Sequence, residues 1–154
     1  MAVYFLETSA LVKRYAQETG TAWVQVLADM SQGNILYVAQ VSGVEAVAAL
    51  TLRSRRGSMT LGEASAAIAD LRRDLVIDYV PVQITDVLLR QAMGLIEKHG
   101  LRGYDSVQLS SALQISAERT ASGLDAPVMV CADSALNAAT MAEGLTVDNP
   151  NAHP

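Results

Sequence analysis

Four acidic residues stand where short apolar runs end or helical segments begin, and together they could hold divalent cations. Glu7 directly follows Phe5-Leu6, and Asp133 follows Val130-Cys131-Ala132. Glu45 lies one turn into a helical segment among small and apolar neighbours, and Asp105 opens a long alanine-rich segment in Leu101-Arg102-Gly103-Tyr104-Asp105. Each also has a structural use. Asp105 and Asp133 at helix N-termini would contribute about 1 kcal/mol as caps, and Glu7 with Thr8 and Ser9 would cap a first helix. Glu45 is different, because an ionised carboxylate on an apolar face is costly to bury unless a cation meets it. Gathered at one place, four such groups repel and raise one another's pKa values, so cations are expected among them. Hard oxygen donors suit Mg²⁺ or Mn²⁺, and a zinc set is lacking, since Cys131 is the sole cysteine and the histidines are only His99 and His153. Two divalent ions would bring four carboxylates to about zero formal charge, letting a phosphodiester approach. Ions roughly 3.5–4 Å apart can activate a water, align it and stabilise the leaving oxygen.

Other chemistries find less support. His99 precedes Gly100 at a helix end and His153 lies in the tail, so neither reads as a catalytic base. Ser9 or Ser134 as a covalent nucleophile lacks a paired base, and no Gly-rich phosphate loop or dinucleotide fingerprint occurs. A doubly wound signalling module would need a phosphoacceptor Asp closing a central strand, for which Asp78 in Val76-Ile77-Asp78-Tyr79-Val80 is poorly placed.

The elements that must position these acids follow from hydrophobic periodicity. Short apolar runs at 3–6, 36–39, 75–80, 128–131 and 145–147 read as buried strands. Between them, apolar residues recur every three or four positions at Trp23, Val26/Leu27 and Met30, at Leu61, Ala64, Ile68, Leu71 and Leu75, and at Ile84, Leu88, Leu95 and Ile96. Residues 41–56, 104–121 and 134–143 are alanine-rich and also read as helices. Alternation predicts an α/β, three-layer α/β/α domain around a mostly parallel five-stranded sheet, spanning residues 1–148, with 149–154 a loosely ordered tail. In such a sheet the loops that follow the strands collect on one edge, where ligands bind.

The bulk composition fits. With 154 residues, 51% hydrophobic and 18% charged, the chain can bury one substantial core. No apolar run approaches the roughly 20 residues needed to cross a bilayer, and the N-terminus lacks a basic leader, so a soluble cytoplasmic protein is expected. A net charge of -5 argues against binding nucleic acid through a general positive field, though bound cations would reverse the sign locally.

In order and spacing the four acidic segments resemble the PIN-domain family, in particular the VapC-type toxins of bacterial toxin–antitoxin pairs. The resemblance runs through Tyr4-Phe5-Leu6-Glu7-Thr8-Ser9, Ser42-Gly43-Val44-Glu45-Ala46, Tyr104-Asp105-Ser106-Val107-Gln108-Leu109 and Ala132-Asp133-Ser134-Ala135-Leu136-Asn137, covering nearly the whole chain. It implies a Mg²⁺- or Mn²⁺-dependent endoribonuclease with Glu7, Glu45, Asp105 and Asp133 as metal ligands. It further implies that Thr8 or Ser9 and Ser134 support those ligands or a bound water, that a cognate antitoxin covers the site, and that the chain is commonly a homodimer. One departure stands out: the family's first acid is ordinarily Asp, and the longer Glu7 pushes its carboxylate outward by on the order of 1 Å, a displacement that can cost about 100-fold. A PIN-fold binding partner of weakened or lost activity is the rival reading.

Basic residues give secondary expectations. Arg53, Arg55, Arg56, Arg72 and Arg73 near helix ends either complement helix dipoles or form a rim for RNA phosphates or an acidic antitoxin segment. Met59 and Leu61 between them could floor a groove for a partner helix, although core packing is the commoner use of such residues. Lys13 and Arg14 follow the first acid closely enough to reach for a phosphate, and serve equally well as exposed solubilising charge.

Overall fold

The computed structural model describes residues 1–154, Met1 through Pro154. Five strands, β1 (Val3–Leu6), β2 (Ile35–Ala39), β3 (Tyr79–Val82), β4 (Val128–Val130) and β5 (Val147–Asp148), form one sheet in the order β3-β2-β1-β4-β5. Every pairing is parallel, including Phe5 opposite Tyr37 and Met129 and the edge pairs Leu36–Tyr79 and Met129–Val147. The expected mostly parallel sheet is thus wholly parallel. Seven helices cover it: α1 (Thr8–Lys13), α2 (Thr21–Leu27), α3 (Ser42–Arg55), α4 (Leu61–Ile77), α5 (Asp86–His99), α6 (Gly103–Ala121) and α7 (Ser134–Ala142).

The three layers follow from strands that are apolar on both faces. Successive residues of a strand point oppositely, so Leu6, Leu36, Val38, Tyr79 and Val130 join a core with α1, α2, α3 and α4. Phe5, Ala39, Val82, Met129 and Cys131 join the other core, with α5, α6 and α7. Fifteen buried residues on one side and fourteen on the other give the sheet no solvent-facing side. That is the burial expected of parallel strands. No helix is long and apolar enough to cross a membrane.

Two expectations are corrected. The apolar run 75–80 is split: α4 continues to Ile77 and the strand begins at Tyr79. Thr60 and Glu63 form a reciprocal capping box that starts α4, and Ala64, Ala67, Leu71 and Asp74 keep helical spacing along its buried face. Val76 and Ile77, although apolar, are exposed. Pro81 lies inside β3, which an edge strand tolerates.

The tail is the second correction, because it is fastened to the body. His153 stacks on Trp23 with ring centroids 4.1 Å apart and 4° between planes, and its Nε2 lies 2.7 Å from Asp148 Oδ1. Pro150 is buried in a short 3₁₀ turn capped by Asn149. Gly20, at φ +85°, is required where it packs, since a Cβ there would collide with the Pro150 carbonyl.

Candidate functional site

The first two connections run from β1 to β2 and on to β3 on one side of the sheet, after which the chain returns to lay β4 against the other side of β1. This places a topological switch point at the carboxyl ends of β1 and β4, where open α/β sheets bind ligands. Glu7 leaves the end of β1 and caps α1, its own N–H donating to the Val130 carbonyl across the switch point at 3.0 Å. Asp133 leaves β4 and caps α7, accepting from the Leu136 N–H at 2.9 Å. Glu45 sits in the first turn of α3, Asp105 in the first turn of α6.

Glu7 is buried, only 6% exposed. Its Oε2 accepts the Ser9 N–H at 2.8 Å and the Ser9 hydroxyl, and that hydroxyl also receives the Ala132 N–H at 3.0 Å. Burial pushes the Glu7 pKa up from the ordinary glutamate value; the Ser9 bonds oppose the rise and the Glu45 charge adds to it. The Cys131 thiol is also pushed up, by burial first and then by Glu7, and stays protonated, which removes it as a nucleophile.

Glu45 is gripped through one oxygen. Thr8 Oγ1 donates to Glu45 Oε1 at 3.0 Å, and Gln108 Nε2 donates to the same atom at 2.8 Å. Gln108 Nε2 lies also 3.0 Å from Thr8 Oγ1 and 2.9 Å from Ser42 Oγ, so α1, α3 and α6 are joined by a buried polar knot beside the acids. The Gln108 Oε1 in that knot is buried without a partner.

Asp105 and Asp133 meet through Arg102. Its Nε donates to Asp105 Oδ2 at 3.0 Å and its Nη2 to Asp133 Oδ2 at 3.3 Å, raising the pKa of a guanidinium that also feels the Glu7 charge. Glu45, Arg102, Gly103, Tyr104 and Asp105 line an open recess of about 330 Å³. All four sequence-predicted acids therefore share one electrostatic neighbourhood at the switch point.

Donor chemistry and charge suit a hard divalent cation. Glu7 and Glu45 take their protein hydrogen bonds on a single oxygen each, leaving the other uncommitted. No three of the acids stand close enough to hold an ion as they are.

The supporting residues sort differently from expectation. Thr8 and Ser9 bond the acids as the sequence suggested, whereas Ser134 is exposed at the start of α7 and bonds none of them. Lys13 and Arg14 point away from the site. Lys13 is buried against Glu18 at 2.8 Å, and Arg14 pairs with Asp78 at 2.7 Å and Asp74 at 3.3 Å. Gln108, Ser42 and Arg102 were missed. The signal was present in spacing: Ser42 and Glu45, Asp105 and Gln108, and Arg102 and Asp105 are three residues apart, hence on common helix faces.

An all-parallel, five-stranded sheet between two layers of helices, with acids at its switch point, is a PIN-like fold, and solved structures agree. PAE2754 from Pyrobaculum aerophilum superposes with a TM-score of 0.63 at 18% identity over 98% of this chain and 85% of that one. VapBC2 from Rickettsia felis, solved bound to a DNA fragment from their promoter, gives 0.59 at 13% identity over 96% and 98%. FitAcB from Neisseria gonorrhoeae gives 0.54 at 15% identity over 96% and 97%. No family model matches the chain. Two curated proteins of Mycobacterium tuberculosis, ribonuclease VapC45 of strain CDC 1551 / Oshkosh and ribonuclease VapC49 of strain ATCC 25618 / H37Rv, are each 30% identical to it over 118 residues, 75% of this chain and 78% of theirs. The chain belongs to the VapC family of PIN-domain ribonucleases.

Proposed function

We propose that this protein is a Mg²⁺- or Mn²⁺-dependent endoribonuclease, the toxin of a type II toxin–antitoxin pair, acting in the cytoplasm on single-stranded or structured RNA. The observation that carries the reading is the contact of Asp105 and Asp133 with Arg102 at the switch point, where the Glu7 charge also acts on Arg102 and the Glu45 charge on Glu7. Kinship with VapC ribonucleases supports the RNA substrate, and likeness to the VapBC2 structure supports a cognate antitoxin.

Glu7, Glu45, Asp105 and Asp133 would hold the ion, which when bound would supply positive charge for the phosphate and an activated water for in-line attack. The rest is work for the chain's own groups. Thr8 and Gln108 fix Glu45 through Oε1 and so aim Oε2. Ser9 ties Glu7 to Ala132 beyond β4, keeping the two strand ends in register. Tyr104, exposed at the rim of the recess, offers a face on which a base can stack. Arg55, Arg56 and Arg72 are exposed and unpaired, free to meet RNA phosphates or an acidic antitoxin segment. Exposed Val76, Ile77 and Val80 beside the β3 edge suit contact with a second copy of the chain.

One observation favours a second reading, in which the chain binds metal and partner but cuts slowly. Glu7 bends back onto Ser9 instead of standing free. Cleavage of a labelled RNA pool with EDTA, Mg²⁺ or Mn²⁺, by the wild type and by Glu7→Asp, decides between them. Metal-dependent cleavage by the wild type supports the nuclease; cleavage seen only in Glu7→Asp supports the weakened partner; cleavage in EDTA overturns the metal requirement.

A further inference from the structure

Arg102 is misplaced by ordinary helix electrostatics. It occupies the N-cap of α6, where the helix dipole disfavours a cation, and it supplies no side-chain cap. What holds it is the acidic set: a helical-turn pair to Asp105 and a second contact to Asp133, which comes from the β4–α7 junction. Its side chain is nevertheless 80% exposed. Ion pairs that open to water are weak and exchangeable.

We infer that Arg102 is a two-position cation, parked between Asp105 and Asp133 in the free protein and released to grip the substrate's phosphodiester once a divalent cation takes those carboxylates. Arg102 acquires this role only if the metal-dependent reading above holds. The parked position lowers the repulsion of four acids by one charge, and it occupies oxygens, Asp105 Oδ2 and Asp133 Oδ2, that the ion would need. Arg102 must then compete with the ion. Once displaced it stays at the recess, which Arg102 and Gly103 line beside Asp105 and Glu45. A planar guanidinium there can bond two phosphate oxygens at once, a geometry that lysine does not reproduce. The same residue would thus tie Asp105 to Asp133 without the ion and engage substrate only with it.

Isothermal titration of the full chain with MnCl₂, paired with steady-state cleavage of a labelled single-stranded RNA pool, tests this. Arg102→Gln should bind Mn²⁺ more tightly, by about fivefold, the scale of an exposed ion pair. The same variant should raise KM for RNA about tenfold while kcat changes less, as expected for a lost charge-assisted contact. Arg102→Lys should keep Mn²⁺ affinity near wild type and still raise KM. Unchanged or weaker Mn²⁺ binding by Arg102→Gln, or an unchanged KM, overturns the role of Arg102 while leaving the metal site standing. If Asp105→Ala binds Mn²⁺ as well as the wild type does, the metal reading itself fails and takes this role with it.

Discussion

Two charged clusters of this molecule are built on opposite plans. Around the end of α1, Lys13, Arg14, Arg53 and Arg73 meet Glu18, Asp70, Asp74 and Asp78, four cations to four acids, each linked to at least one partner. At the switch point, Glu7, Glu45, Asp105 and Asp133 have one cation, Arg102, and it is mostly solvent-exposed. Burial explains the first plan: Asp74 is 3% exposed and Lys13 4%, and a buried charge without a partner is severely unfavourable. The second keeps a surplus of carboxyl groups, Glu7 among them at 6% exposed, for which the protein's own residues supply no further cation. Charge is balanced where the fold needs only stability and left unbalanced at one sheet edge, and that contrast is what supports the proposal that a cation binds there.

The contrast can be broken from either side. The largest effect is expected from Asp105→Ala, which should lower RNA cleavage by more than about 100-fold, since even outer hydrogen-bond partners of a metal are worth roughly 10–100-fold. It should also abolish Mn²⁺-dependent thermal stabilisation, which reaches about 2.7 kcal/mol at a hundredfold excess over Kd for an intact site. Arg14→Met attacks the balanced cluster and should have the complementary signature. It removes the one partner of the half-buried Asp78 and one of the two cations at Asp74, which keeps Arg73, and should lower stability by about 2 kcal/mol in urea titrations while leaving the Mn²⁺ isotherm unchanged. Gln108→Leu keeps the helix contacts but removes a donor to Glu45, so cleavage should fall by roughly tenfold with the Mn²⁺ isotherm weakened. A normal rate in this variant would reduce Gln108 to a packing residue.

The smallest effect belongs to Glu143, whose Oε1 lies 2.7 Å from Lys98 Nζ and 2.6 Å from His99 Nε2, joining α5 to α7. Lys98, then His99, hold its carboxyl below the ordinary glutamate value. A lowered folded-state pKa means a contribution fully present above the unfolded value and lost as the pH falls through the folded one. Thermal melts of Glu143→Gln should therefore match the wild type at low pH and fall slightly below it near neutrality. A constant offset at every pH would argue that the contact is one of shape and not of charge.

How much of this was legible in the sequence depended on whether local pattern and tertiary role coincided. β1, β2 and β4 were readable because strands buried on both faces are continuous apolar runs, and Glu7 and Asp133 were readable because they directly follow such runs. The run at 75–80 deceived, since Val76 and Ile77 are apolar yet face solvent in the last turn of α4, a helix whose spacing from Leu61 to Leu75 was readable but whose end was not. The tail deceived for the opposite reason. Its polar residues lack periodicity, and the Trp23–His153 stack that fastens it joins positions remote in sequence. Within the site, charge drew attention to the acids and away from Gln108, a neutral residue whose importance lies in three buried contacts made across helices. Lys13 and Arg14 looked available beside Glu7, but the helical turn carries them toward the balanced cluster.

The central claim is that the four acids share divalent cations. Crystals of the protein soaked in MnCl₂ and measured at a wavelength where manganese scatters anomalously test it most directly. The account predicts anomalous density between the carboxylates of Asp105 and Asp133 and those of Glu45 or Glu7, with the Arg102 guanidinium displaced. A fully soaked crystal with no density there, and Arg102 still bridging Asp105 and Asp133, would contradict it.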